Sequence, residues 1–100
     1  MTNPVEIPFQ DLLEALENVD TPFPIRNISR FSDMGKEDIE QLGKVWPRIP
    51  TIRKQTLMED VKQLGTHNML LSFIELGLLA IQDNDAKVRL DGVIVLSEYE

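Results

Sequence analysis

Residues 69–99 read MLLSFIELGLLAI, then QDND, then AKVRLDGVIVLSEY. The first thirteen residues are apolar almost all the way round. As a helix they extend roughly 20 Å, too short for a bilayer, which needs about 20 apolar residues. A helix apolar on every side has to be buried in protein on more than one of them. Past the acidic turn, Val88, Gly92, Val95, Leu96 and Tyr99 share one side of a helical wheel. That pattern predicts an amphipathic helix near 86–99, capped by Asp85. The stretch therefore predicts a tight helical hairpin whose first helix, 69–81, is the core of the domain.

Four further segments surround it. Phe9, Leu12, Leu13, Leu16 and Val19 draw one apolar stripe and predict a helix near 8–18, with Pro8 in its first turn. Pro22 and Pro24 end it. Ile25, Ile28 and Phe31 suggest one short helical turn laid on the core. Ile39, Leu42, Val45 and Trp46 predict a helix near 36–46, opened by Glu37 and Asp38 and stopped by Pro47. Ile52, Leu57, Met58, Val61 and Leu64 predict another near 51–64, with Gly65 as a left-handed cap and Asn68 capping the next helix. No run alternates with period two, so no strand is expected.

The chain has 100 residues, a formal net charge of −7 and no cysteine. This length suits one domain. Disulfides, thiolate metal sites and cysteine nucleophiles are excluded. The N-terminus MTNPVEIPFQ has no basic region followed by an apolar run, so no signal peptide is read and a cytoplasmic protein is expected. The overall acidity argues against a general nucleic-acid binder and the membrane is not expected as a partner. Residues 21–54 nevertheless hold seven of the ten bases. Charge compensation between two acidic faces explains them most simply. The alternative is a basic surface over 26–54, built from Arg26, Arg30, Lys44, Arg48 and Lys54, that contacts DNA or RNA.

Two segments match at an offset of 36 residues: Pro47 to Ile52-Arg53, and Asp83 to Val88-Arg89. The match extends from Gly43 and Leu79 to Met58 and Ile94 and fails beyond, at Asp60 against Leu96 and Val61 against Ser97. Each unit is a helix, a short turn, an apolar-Arg pair and a second helix. In this the chain resembles the HEAT repeats of the armadillo-like α-solenoids. Leu79, Asp83, Asp85, Val88, Arg89, Gly92 and Leu96 carry the pattern in the second unit, while the first departs from it with Pro47 in the Asp position.

The resemblance implies an all-α, right-handed α-solenoid of stacked hairpins: an N-terminal cap at 1–34, one repeat at 35–66 and a second at 69–100. It also implies a non-enzymatic scaffold that binds a protein partner, and an Asp83 that lies beside Arg89 and Arg53 as a structural ladder. From the residues alone, Asp83 is free to accept from the helix start at 86–88. The wheel leaves Gln55, Lys62, Asp91 and Glu98 outward, and the offset relates Gln55 to Asp91 and Lys62 to Glu98. These four are the candidate binding residues. Leu90 and Ile94 would face a missing neighbour, which suggests the N-terminal piece of a longer solenoid or self-association through that edge.

No catalytic constellation is legible. His67 is the single histidine and has no acid near it in sequence. Asp83 and Asp85 lack the further oxygen ligands of a calcium loop, and the five glycines form no phosphate loop. Neither a metal nor a cofactor is expected, and a lyase-like enzyme finds no acid, base or nucleophile here. Trp46 ends an apolar stripe and is expected to pack in the core rather than stack on a ligand.

Overall fold

The computed structural model describes residues 7–68 and 70–99. The expected helix start at Met69 and the first six residues of the expected cap lie outside them. Every regular element among the described residues is helical. α1 is Phe9–Glu17, α2 Lys36–Val45, α3 Thr51–His67, α4 Ile74–Ala80 and α5 Ala86–Ser97. Two 3₁₀ helices, Ile25–Phe31 and Trp46–Arg48, flank α2.

α1 buries Leu12, Leu13 and Leu16. The helix stops before Val19, which is exposed rather than part of the stripe. The 3₁₀ helix at Ile25–Phe31 buries Asn27, Ile28 and Phe31, whereas Ile25 points to solvent. Phe31 stacks edge-on against Phe9 at 5.9 Å and lies 6.0 Å from Phe23, so both ends of the N-terminal segment lean on one ring.

α3 is the middle of the molecule, packed on one side by the Ile25–Phe31 helix and on another by α5. It runs through Gly65 to His67. Gly65 is thus a helical residue, not a left-handed cap, and no described glycine has positive φ. Asn68 closes α3 instead of opening the next helix, and its side chain accepts from Leu70 N.

The stretch read as the core helix is an edge element. α4 has seven residues and begins only at Ile74, because the preceding amide donors are spent on tertiary bonds. Ser72 N donates to Ser32 Oγ at 2.7 Å and Phe73 N to Tyr99 Oη at 2.9 Å. Asp33, in a left-handed conformation (φ 52°) that Asp tolerates, donates its N–H to Ser72 O. α4 buries Leu76, Gly77 and Ala80 on α5 and leaves Ile74 and Leu78 partly in solvent. The α4–α5 hairpin is close because Gly77 faces Leu96 and Gly92 faces Ala80 and Ile81. A Cβ on Gly92 would come within 3.0 Å of the Ile81 backbone nitrogen.

Candidate functional site

Three surfaces hold the residues of interest. The first is a cleft of about 400 Å³ on the side of the inter-helix turns, between Trp46, Ile49 and Lys54 on one wall and Leu79, Gln82 and Asp83 on the other. Lys54 lies on α3 at i, with Leu57, Met58 and Val61 at i+3, i+4 and i+7, so its stem follows the buried stripe. Its ammonium meets Asp83 Oδ1, and it stands 5.1 Å from the centroid of the Trp46 ring. Trp46 Nε1 donates to the same oxygen at 3.0 Å, and Asp85 N donates to Oδ2 at 2.9 Å. Burial opposes the charge of Asp83, but Lys54, the Asp85 amide and the indole together hold its carboxyl below the usual range.

Neither arginine of the expected ladder bonds the Asp83 carboxylate. Arg53 does not reach Asp83; its Nη2 donates to the main-chain oxygens of Asn18 and Thr21. Arg89 contacts Asp83 only at the main-chain oxygen, at 2.9 Å, and Asn84 O at 2.8 Å. Arg53 and Lys54 are one helical position apart, about 100° round the axis, and the register of α3 turns the lysine to the acid. Asp85 is the helix cap: its Oδ2 accepts from Val88 N at 3.0 Å and from Gln55 Nε2 at 3.1 Å. Gln55, then Val88, hold the Asp85 carboxyl below its ordinary value.

The second surface is the α3–α5 seam, which brings the four candidate binding residues onto neighbouring helices. Gln55 is taken up by Asp85. Asp91 is not outward: it is 1% exposed, with Lys62 on Oδ1 at 3.0 Å and Lys87 on Oδ2 at 3.1 Å. Both lysines also reach Glu59. Asp91 first and Glu59 second raise the affinity of Lys62 and Lys87 for their protons. Lys62 and Glu98 line a small dent beside Tyr99, and Glu98 is exposed. Three of the four are therefore spent within the fold: Gln55 on Asp85, and Lys62 and Asp91 on each other.

The third surface is apolar. Ile74, Leu78, Leu90, Val93 and Ile94 are 37%, 41%, 58%, 55% and 38% exposed. Ile74 and Leu78 are four apart on α4, and Leu90, Val93 and Ile94 lie three and four apart on α5, so each set shares a helix face. The basic segment offers less free charge than its sequence suggests. Arg30 Nη1 donates to Ile7 O at 2.7 Å, Arg48 pairs with Glu17 at 2.9 Å, and Lys54 is inside. His67 Nδ1 sits 2.8 Å from Gln63 O on the exposed end of α3.

No family model, curated protein or solved structure matches this chain.

The sequence reading missed Trp46 and Lys54 as partners of Asp83. The signal was a lysine in phase with three apolar residues, a position that demands a buried counter-charge. No helix among the described residues is long and apolar enough to cross a membrane.

Proposed function

We propose that the chain is a non-enzymatic protein-binding module of the HEAT-repeat type, docking a helical partner on the outer face of α4–α5. The observation that carries this reading is the exposed apolar side chains themselves: five large aliphatic residues, each more than a third exposed, two on one face of α4 and three on one face of α5, helices that pack on each other. Exposed apolar patches of this kind mark association surfaces, and i, i+4 pairs on a helix suit the ridges and grooves of another helix. The solenoid reading is supported by two helix–turn–helix units, α2–α3 and α4–α5, whose second helices pack together. It is supported further by an acid two residues ahead of the α5 cap, tied into the preceding unit. A next hairpin, a second copy or another protein would satisfy the face equally by its chemistry.

The test uses two surface variants, Leu78→Glu and Val93→Glu. Thermal melting should be unchanged. Partners retained by the unaltered chain from its source extract, and self-association seen by sedimentation, should be lost in both. Equal retention and equal self-association in the variants would overturn the reading.

A further inference from the structure

Arg53 is 7% exposed, and among the described residues no carboxylate pairs with it. Its two bonds go to Asn18, the C-cap of α1, and to Thr21. A helix C-terminus offers roughly half a negative charge, which offsets only part of a buried guanidinium. Its Nε is buried and donates to nothing. Buried donors without partners are rare in folded proteins and call for an explanation.

The same side chain lines a cavity of about 240 Å³ between α3 and the 22–25 segment. Phe23 and Leu57 wall it, the largely exposed Ile25 stands at its open rim, and Asp60 stands with Arg53 on its lining. Asp60 has no ion-pair partner among the described residues either. Burial, then the neighbouring Glu59, push its carboxyl up. Arg53 and Asp60 are seven residues apart on one helix, about 10 Å along the axis, too far to neutralise one another directly. The cavity therefore has a positive pole, a negative pole and apolar walls between them. Its volume is that of roughly eight waters, enough for a ligand of about nine non-hydrogen atoms.

We propose that this cavity binds a small amphoteric group: a carboxylate at Arg53 and an ammonium at Asp60, joined by a short methylene chain. A free ω-amino acid has this chemistry, and so does a lysine at the C-terminus of a peptide. Each end supplies the counter-charge that the protein withholds, and the methylenes replace water against Phe23 and Leu57. The site is separate from the α4–α5 face and does not depend on the reading of that face.

The experiment titrates the labelled full chain with ε-aminocaproate and follows the Arg53 Nε–Hε resonance. A saturable shift with a dissociation constant on the order of 1 mM or below is expected. Caproate, which lacks the ammonium, and hexylamine, which lacks the carboxylate, should each bind at least about 10-fold more weakly, a step of about 1.4 kcal/mol. Glycyl-lysine distinguishes the sources: tighter binding than ε-aminocaproate favours a peptide end, weaker binding a free molecule. Asp60→Asn should reduce ε-aminocaproate to the level of caproate. Arg53→Gln should abolish binding but also frees the Asn18 and Thr21 carbonyls, so Thr56→Phe is the second variant. Thr56 is exposed, lines the cavity and bonds only within its own helix, to Ile52 O. Thr56→Phe should keep the fold and lose the shift. No shift with any probe, equal binding of all three, or full binding to Thr56→Phe would overturn the proposal.

Discussion

Lys54 Nζ and Asp83 Oδ1 stand 2.5 Å apart, with both side chains more than nine-tenths buried. Removing either partner strands the other charge, a cost of about 3–5 kcal/mol. Asp83→Ala and Lys54→Ala should each lower unfolding free energy by that order in urea, and the double variant should lose clearly less than the sum. Arg53→Ala and Asp83→Ala share no bonding partner and should add.

The same acid gives the chain an acid limb. A carboxyl whose folded pKa lies below its unfolded value adds stability that is present above the unfolded value and lost as pH falls through the folded one. Asp83 and Asp85 are both depressed in this way. The urea midpoint should therefore fall as pH drops below about 4. Asp83→Asn should start from a lower midpoint and show a shallower fall over that range.

Three glycines in helices should respond in opposite directions to alanine. Gly43 has nothing within 4 Å of an added Cβ, so Gly43→Ala should stabilise by about 0.8–1.0 kcal/mol through helix propensity. At Gly77 the Cβ meets the Leu96 side chain, which can give way. At Gly92 it meets Ala80 Cβ and the Ile81 backbone, which cannot. Gly92→Ala should cost about 1–3 kcal/mol and Gly77→Ala less, by thermal or chemical denaturation.

Tyr99 Oη accepts from Phe73 N and donates to Leu71 O at 3.3 Å, tying the end of α5 to the link before α4. Tyr99→Phe should cost about 0.5–1.5 kcal/mol. It should also speed amide exchange at Phe73 more than at residues in the middle of α3.

Periodicity places α1 and α2 to within a residue or two, because each carries one apolar stripe, whereas α5, apolar on two faces, is located by its Asp85 cap. Periodicity fails at α4, whose start is set by Ser32 and Tyr99, partners 40 and 26 residues away in sequence. The family resemblance gives Asp83 a structural task but names Arg53 where Lys54 is the cation that reaches its carboxylate, since the two differ only in register. Asp91 misleads for a similar reason. A carboxylate between two helices is stable when lysines from both reach it, and neither lysine is adjacent to it in the chain. The apolar outer face of α4 and α5 is legible only in part: Leu90 and Ile94 stand out, while Ile74, Leu78 and Val93 disappear into runs that look like core.

Trp46 is the single tryptophan of the chain. Its indole N–H is bound to Asp83 and its ring carries the Lys54 ammonium. Helices can form locally without bringing these three groups together, since Trp46 and Asp83 are 37 residues apart. The intrinsic fluorescence of the protein is therefore a spectroscopic gauge of one event, the closure of the α2–α3 turn onto the α4–α5 turn. In a stopped-flow refolding trace its change should lag behind the far-ultraviolet signal of helix formation, and no label has to be introduced to see it.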